Sequence, residues 1–116
     1  MMVERAVGAV LVSGTSSLIT RDGFIIALAT RHGVPALYTN RNWAVAGGLI
    51  SYGPNFPEGY HQVGVYTGQI LKGAKPADLP VVQPTRFELV INLNTAKALK
   101  LTIPPGILAI ADKVVE

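Results

Sequence analysis

Ala46-Gly47-Gly48-Leu49-Ile50-Ser51-Tyr52-Gly53-Pro54-Asn55 is the stretch of sequence that decides the fold. A short apolar run lies between a glycine pair and Gly53-Pro54-Asn55, and an amphipathic pattern follows it directly. This arrangement predicts a strand that leads into a helix. Ligands of α/β proteins collect at the carboxyl end of a strand, where the next helix begins with unpaired N–H groups. The stretch therefore predicts a binding cleft, and it contains no set of residues for catalysis or metal binding.

The composition indicates one folded domain rather than a disordered chain. A chain of 116 residues can bury roughly two thirds of its unfolded surface, and only 15% of these residues are charged. The mean hydropathy of +0.37 is high for so small a domain. Either both faces of a sheet are covered, or some apolar surface meets a partner. The net charge of +3 is spread along the chain, which argues against nucleic acid as a partner because phosphate binding needs clustered basic residues.

Cysteine chemistry is excluded, because the chain has no cysteine. The first residues, Met1-Met2-Val3-Glu4-Arg5, lack the basic and then apolar pattern of a signal peptide. No apolar run is long enough to span a bilayer. As written, the chain is expected to be soluble and to carry no export signal.

Strand and helix patterns alternate along the chain. Gly33 stands where a helix ends in the left-handed conformation, and either Asn92 or Asn94 can cap a helix that runs through Leu99. The alternation predicts an α/β fold with a mainly parallel sheet and flanking helices. The predicted strands are Val7 to Val12, Pro35 to Thr39, Leu49 to Tyr52 and Phe87 to Ile91, and the other predicted helices are Arg21 to His32, one turn over Trp43 to Ala46, Phe56 to Lys72, and a last helix from Thr102 with an apolar face through Val114.

The longest predicted helix combines an apolar face with three glycines. Each of Gly59, Gly64 and Gly68 costs about 1 kcal/mol relative to alanine. Packing must therefore hold this helix, and the glycines allow a neighbour to approach closely. Its apolar side consists of Phe56, Tyr60, Val63, Thr67, Ile70 and Leu71 at helical spacing.

Three segments resemble the C-terminal part of an ABC-transporter substrate-binding protein, in the family that includes uptake proteins for aromatic amino acids. They are AGGLISYGPN (46–55), GQILKGAKPADLPVVQPTRFELVINLNTAKAL (68–99) and LTIPP (101–105). Upstream, a strand, a Ser/Thr loop, a helix and HGVPALY (32–38) follow in the same order. The resemblance covers nearly the whole chain but only about the last third of a family member.

The resemblance implies one lobe, plus a crossover segment, of a type I periplasmic binding protein. The chain is expected to be a single α/β domain over residues 1–116, with a crossing between lobes near residues 47–49. The resemblance also implies a small-molecule ligand such as an amino acid, an ABC permease as partner, and a periplasmic or extracytoplasmic location.

Three departures from the family pattern are visible. The amino-terminal lobe and the export signal are absent from the sequence. Lys100 stands where the family commonly has glycine, so a left-handed helix end there is mildly strained. Asn40-Arg41-Asn42 replaces the acidic or aromatic residues often found there. The identity of the ligand therefore does not follow from the resemblance.

Five residues near the predicted strand ends are candidate ligand contacts: Thr15, Ser16, Arg41, Tyr52 and Asn55. Hydroxyl groups and loop N–H groups can bind a carboxylate, although Thr15 and Ser16 can equally cap the next helix. The guanidinium of Arg41 can clamp a carboxylate or remain solvated. Tyr52 can stack on an apolar ligand, and Asn55 can cap a helix while facing the cleft.

Other residues favour structural roles. Trp43 and Tyr38 are expected in the core. His32 and His61 have no acid partner or second metal ligand close in sequence. The sequence therefore predicts no catalytic residue, no metal site and no cofactor, and it argues against an enzyme.

Two functions are compatible with these features. The first is the solute-binding component of an ABC-type importer, present here as a fragment with weak or no affinity of its own. The second is a truncated interaction protein that does not transport and that forms a homodimer through the surface vacated by the missing lobe. A homo-oligomer is expected, because pairing of apolar surface between copies would account for the high mean hydropathy.

Overall fold

A computed structural model describes residues 6–116 of the chain. These residues divide into two units. Unit 1 comprises residues 6–53 and Glu88–Glu116, and unit 2 comprises Pro54–Phe87. The helices are α1 (Ser16–Ile19), α2 (Asp22–Arg31), α3 (Arg41–Val45), α4 (Phe56–Leu71), α5 (Leu93–Ala98) and α6 (Pro105–Ala109), with a 3-10 turn over Pro76–Asp78. The strands are β1 (Val10–Val12), β2 (Ala36–Tyr38), β3 (Ile50–Pro54), β4 (Phe87–Asn92) and β5 (Lys113–Val115).

Unit 1 is built on a five-stranded sheet in the order β1-β2-β3-β4-β5. The pairs β1–β2, β2–β3 and β4–β5 are parallel, with Val10 opposite Ala36, Tyr38 opposite Ser51, and Ile91 opposite Val114. Parallel neighbours require crossover connections, and helices supply them. The predicted α/β fold with a mainly parallel sheet is confirmed.

The backbone hydrogen bonds show that β3 and β4 run antiparallel. The N–H of Asn92 donates to the carbonyl of Leu49 at 2.9 Å, and the N–H of Asn55 donates to the carbonyl of Arg86 at 3.1 Å. Residue numbers rise on one strand while they fall on the other, as in an antiparallel ladder. The chain therefore leaves unit 1 along β3 and returns along β4 in the opposite direction.

The core of unit 1 forms around two aromatic rings that contact each other at a tilt of 34°. The ring centroids of Tyr38 and Trp43 lie 4.9 Å apart, and both side chains are buried together with Ile26 and Ala36. Burial raises the pKa of the Tyr38 phenol, because the phenolate loses its hydration. The prediction that Trp43 and Tyr38 belong to the core is confirmed.

The buried amide of Asn92 joins β4 to two helices. Its Nδ2 donates to the carbonyl of Ala44 at 2.9 Å, and its Oδ1 accepts from the N–H of Thr95 at 3.1 Å. The hydroxyl of Thr95 donates to the carbonyl of Gly47 at 2.8 Å. Asn92 is therefore the cap of α5, which decides between the two asparagines that the sequence left open.

Unit 2 consists of α4, the 3-10 turn and an extended segment. The side chain of Asn55 caps α4 by accepting from the N–H of Glu58 at 2.9 Å, and the hydroxyl of Tyr66 donates to the carbonyl of Pro80. None of the sixteen residues of α4, all of which the structure describes, is buried. The predicted apolar face of this helix is therefore exposed within the described chain.

The prediction of a long last helix is wrong in its second half. The helix α6 ends at Ala109, and Lys113–Val115 is a strand that pairs with β4. The N–H of Asp112 donates to the carbonyl of Leu89, and a carboxylate oxygen of Asp112 accepts from the N–H of Leu89. These contacts align the β-branched end of the chain with the sheet, which overrides the helical spacing of its apolar residues.

The other differences concern the first strand and the loop that follows it. The structure limits β1 to Val10–Val12 and forms the short helix α1 within the predicted polar loop. Across residues 6–116, no helix has both the length and the apolar composition needed to cross a bilayer.

Four helices end in the same hydrogen-bond motif. After α5, the N–H of Leu101 donates to the carbonyl of Ala96 at 2.8 Å, and the N–H of Lys100 donates to the carbonyl of Lys97 at 3.0 Å. This is a Schellman motif, whose C′ residue needs a left-handed backbone. Glycine takes that position after α2, α3 and α4 (Gly33, Gly47 and Gly73), whereas Lys100 takes it after α5 with φ +56°.

The replacement Lys100→Gly should stabilise the protein by about 0.5–1 kcal/mol, because glycine adopts positive φ without the steric cost of a Cβ. Urea denaturation followed by circular dichroism measures the change. The matched control is Lys97→Gly in the last turn of α5, which should destabilise the protein by about 1 kcal/mol. A loss of stability in Lys100→Gly would contradict the assignment of strain to this residue.

Candidate functional site

Three parallel strands end at one edge of the unit 1 sheet. The strands β1, β2 and β3 run in the same direction, so the loops after Val12 and Tyr38 and the end of β3 lie at this edge, here called the carboxyl edge. Because β4 is antiparallel to β3, the start of β4 lies there too. Ligands of open α/β sheets bind outside the carboxyl ends of strands, and the carboxyl edge is therefore the candidate site.

Thr39 is the point at which the loops of the carboxyl edge meet. A Cβ added to Gly14 would lie 2.9 Å from the hydroxyl oxygen of Thr39, and a Cβ added to Gly53 would overlap the carbonyl oxygen of Thr39. Both glycines therefore permit a close approach of backbone to the end of β2. The segments that follow β1 and β2 and the end of β3 therefore lie close together at Thr39.

Arg41 and Glu88 form an ion pair at the same edge. The Nη1 of Arg41 donates to both carboxylate oxygens of Glu88, at 3.1 and 3.4 Å. The side chain of Arg41 is 37% exposed, and that of Glu88 is 9% exposed. The pair therefore joins the start of α3 to the start of β4. The carboxylate of Glu88 also compensates the positive charge of Arg41 that a ligand carboxylate would meet.

Thr15 and Ser16 stand at the beginning of α1 and are exposed. Thr15 is the N-cap residue of α1, but its side chain makes no capping hydrogen bond to the described backbone. Its Oγ1 instead lies 3.3 Å from the Oγ of Ser17. Three hydroxyl groups therefore line the loop after β1.

Tyr52 and Asn55 belong to different units. Tyr52 lies on β3 in unit 1, and its side chain is 54% exposed. Asn55 is the first residue of unit 2 after Pro54, and its side chain caps α4. Thr15, Ser16, Arg41 and Tyr52 thus lie along the carboxyl edge of unit 1, whereas Asn55 lies in unit 2.

Unit 2 has a groove of its own, with a volume of about 400 Å³. One wall is formed by α4, including Phe56, Val63 and Tyr66, and the other by the extended residues 82–86. The lining is mainly apolar, with Gln62 and Arg86 among its polar members. The groove therefore suits apolar contact better than charged chemistry.

The chemistry of the carboxyl edge is that of binding. It presents hydroxyl groups, loop N–H groups, a guanidinium paired with a carboxylate, and an exposed aromatic ring, which are the groups that bind polar and amphipathic small molecules. Among residues 6–116, no group of three acidic or histidine side chains is placed to hold a metal ion.

Residues 5–115 match the family of ABC transporter substrate binding proteins, and the chain belongs to this family. The resemblance found in the sequence is confirmed. No match was found among functionally curated proteins. Members of this family bind substrates outside the cytoplasm, and binding rather than catalysis is their role.

Solved structures show similarity over nearly the whole chain. An ABC domain from Streptococcus pneumoniae in complex with L-Trp is 28% identical, with a TM-score of 0.90 over 98% of this chain and 38% of that chain. A conserved domain protein from Vibrio cholerae O1 biovar El Tor is 23% identical, with a TM-score of 0.87 over 97% of this chain and 38% of that chain.

A ligand-free, open structure of a substrate binding protein with adhesive properties from Clostridium difficile is 20% identical, with a TM-score of 0.64 over 98% of this chain and 39% of that chain. The chain thus spans between 38% and 39% of the length of these three proteins. The two neighbours below 25% identity establish the fold alone. The predicted α/β fold, resembling one lobe plus a crossover segment of a periplasmic-binding-protein-like chain, is confirmed.

Sequence reasoning missed two residues of the carboxyl edge. Glu88 was not assigned to Arg41, because 47 residues separate them. The residues next to Thr39 in the sequence do not indicate its position either, because Gly14 and Gly53 approach it from two other segments. Gly53, which stands directly before Pro54, is the one local sign that the backbone passes close to a neighbour here.

Replacement of Gly53 by alanine should destabilise unit 1 by about 1–3 kcal/mol or more, because the added Cβ overlaps the carbonyl of Thr39. The matched control is Gly23→Ala in α2, where a Cβ meets nothing within 4 Å and stability should rise by up to about 1 kcal/mol. Thermal and urea unfolding of both variants measure the difference. Equal stability of the two variants would contradict the close approach at Thr39.

Replacement of Arg41 by methionine should cost about 1–2 kcal/mol, because it removes the guanidinium from a carboxylate that is 9% exposed. Glu88→Gln in the same background should recover part of this loss, because a neutral amide is easier to bury than a carboxylate. A double-mutant cycle in urea measures the coupling, with Arg31→Met at the exposed end of α2 as control. A coupling near zero would show that the ion pair contributes nothing to stability.

Proposed function

We propose that this chain is part of the solute-binding component of an ABC-type importer. The proposal assigns it a small ligand, such as an amino acid, at the carboxyl edge of unit 1. Thr15, Ser16, Arg41 and Tyr52 contact the ligand there, and Asn55 is kept as a separate candidate contact of unit 2. In the complete protein an ABC permease is the partner, and the location is extracytoplasmic.

The observation that carries this proposal is the convergence of three strand ends at the carboxyl edge, in a chain that belongs to a substrate-binding family. The hydroxyl groups of Thr15 and Ser16 and the guanidinium of Arg41 are suitable donors for a carboxylate. A neighbour with 28% identity is described in complex with L-Trp, which supports an amino acid as the ligand class.

The proposal also assigns the two units to different lobes. Unit 1 and unit 2 divide after Gly53 and before Glu88, a few residues beyond the crossing predicted near residues 47–49. The antiparallel strands β3 and β4 are the connections at this division. Connections of this kind act as hinges when two lobes close on a ligand.

The affinity of the 116-residue chain for its ligand should be low. Binding sites bury about 70–90% of a small ligand, and the chain spans 38% of the L-Trp-bound neighbour. The proposed ligand contacts are therefore incomplete in this chain. A dissociation constant in the millimolar range is expected.

Nuclear magnetic resonance titration with L-Trp and a panel of other amino acids tests the proposal. The expected result is a set of amide shift changes confined to residues 13–17, 39–42 and 51–53 of unit 1, with saturation in the millimolar range. At a ligand concentration equal to the dissociation constant, the linked stabilisation is about 0.4 kcal/mol, so thermal shifts should be small.

Thr15→Val should weaken this binding by about tenfold if its hydroxyl donates to the ligand, and Thr30→Val in the exposed last turn of α2 is the matched control. Shift changes elsewhere, or none for any amino acid, would overturn the assignment of the site. Saturation below millimolar concentrations with a large thermal shift would instead overturn the expectation of weak binding.

The second candidate function is that of an interaction protein that forms a homodimer. The observation that favours it is the exposure of α4, a sixteen-residue amphipathic helix with no buried residue among those described. A contiguous exposed apolar surface is typical of interaction sites. In this case the chain pairs with its own copy through a surface that the rest of a family member would cover.

A further inference from the structure

The ion pair of Arg41 and Glu88 is positioned by the backbone of unit 1. The hydrogen bonds between β3 and β4 define an antiparallel register that places Glu88 opposite Gly53. Gly53 in turn lies against the carbonyl of Thr39, and Thr39 leads directly into the start of α3. The carboxylate of Glu88 and the guanidinium of Arg41 therefore meet at the carboxyl edge because the strands hold both residues there.

The side chain of Arg41 has hydrogen-bond donors left for a ligand. An arginine guanidinium carries several N–H donors in a planar fork. Only Nη1 of Arg41 donates to Glu88, and neither its Nε nor its Nη2 donates to any of residues 6–116. The side chain is also 37% exposed. A ligand carboxylate can therefore bind the other two nitrogens while Glu88 holds Nη1.

Glu88 is placed to act on a ligand through Arg41 rather than by direct contact. Its side chain is 9% exposed, so its carboxylate is largely covered by protein. The effective dielectric constant near a protein surface is about 20, so a covered carboxylate still acts on charges several ångströms away. Glu88 therefore influences a ligand by its charge and by the position that it gives the guanidinium.

The effect of this charge depends on the charges of the ligand. A carboxylate that lacks an amino group is attracted by Arg41 and repelled by Glu88. An amino acid carries the same carboxylate and an adjacent ammonium group, which Glu88 attracts and Arg41 repels. Compared with an arginine alone, the ion pair therefore favours zwitterions over simple anions.

We infer that Glu88 determines the charge class of the ligand at the carboxyl edge. By holding Nη1 of Arg41 and lowering the positive potential around it, Glu88 makes the edge select zwitterionic amino acids over carboxylates that lack an ammonium group. Arg41 is the ligand contact, and Glu88 is a positioning residue that acts through it. This inference rests on the proposed function, because it needs a ligand at the carboxyl edge.

Two probes that differ only in the ammonium group test the inference, namely L-Trp and indole-3-propionate. Each is titrated into the full chain, and binding at the edge is followed by nuclear magnetic resonance through the amides of residues 39–42 and the side-chain Nε–H of Arg41. The wild-type chain should bind L-Trp at least about threefold more tightly than indole-3-propionate. A wild-type preference for indole-3-propionate would overturn the inference without any variant.

Substitutions of Glu88 test the cause of this preference through the ratio of the two dissociation constants. Glu88→Gln should shift the ratio toward indole-3-propionate by at least about fivefold, because it removes the negative charge beside the guanidinium. Glu88→Asp keeps that charge and should hold the ratio within about twofold of the wild-type value, even where both affinities fall. A loss of stability alone weakens both probes together and leaves the ratio unchanged.

The matched control is Glu116→Gln, which makes the same substitution directly after β5. Because β5 runs parallel to β4, it ends at the edge of the sheet opposite the carboxyl edge. Glu116→Gln should leave the ratio unchanged. An equal shift in Glu116→Gln and Glu88→Gln would overturn the inference, because the net charge of the chain would then be the cause.

The remaining outcomes separate the inference from the proposed function. A wild-type ratio in Glu88→Gln, while Arg41 and residues 39–42 still respond to L-Trp, would overturn the inference and leave the proposed function in place. A shift as large in Glu88→Asp as in Glu88→Gln would also overturn it, since the charge would not be the cause. No response of Arg41 to either probe would refute the proposed contact and the inference together.

Discussion

The side-chain amide of Asn92 is the contact on which the rest of unit 1 depends. With a 4% exposed side chain, it donates to the last turn of α3 and accepts from the first turn of α5. Its backbone N–H adds the rung that pairs β4 with Leu49, next to β3. A buried carbonyl or N–H without a partner costs about 1–3 kcal/mol. One residue thus satisfies both helix ends and aligns the antiparallel strand with its neighbour.

The two units differ in how far their side chains are buried. Unit 1 has a buried core of Ile26, Ala36, Tyr38 and Trp43 around a sheet, whereas the helix of unit 2 buries none of its residues. This contrast agrees with a chain that spans 38% of its structural neighbours. Unit 1 already positions the loops of the carboxyl edge. Unit 2 contributes a helix with an exposed apolar side and a groove of its own, and both proposed functions build on this difference.

The candidate site illustrates which interactions a sequence can indicate. The loop after a buried strand, the hydroxyl groups of Thr15 and Ser16 and the guanidinium of Arg41 are local features, and their positions at the strand ends follow from the parallel order of the sheet. The partner of Arg41 is not local, since Glu88 enters from a strand 47 residues later. That strand runs antiparallel to β3, and this direction brings the carboxylate of Glu88 to the same edge as the guanidinium. Arg41 is therefore part of an ion pair as well as a candidate ligand contact.

The sequence by itself determined the α/β alternation, the cap of α4 at Asn55 and the end of α2 at Gly33, because each depends on residues within a few positions of one another. Lys100 was assigned through the family resemblance, and both Gly33 and Lys100 have the positive φ that a Schellman motif requires. The family was also recognisable from continuous segments. Only the tertiary structure decided that Asn92 rather than Asn94 caps α5, that Lys113–Val115 is a strand, and that the apolar face of α4 stays exposed. Those outcomes depend on hydrogen bonds and packing between segments far apart in the chain, which local periodicity does not encode.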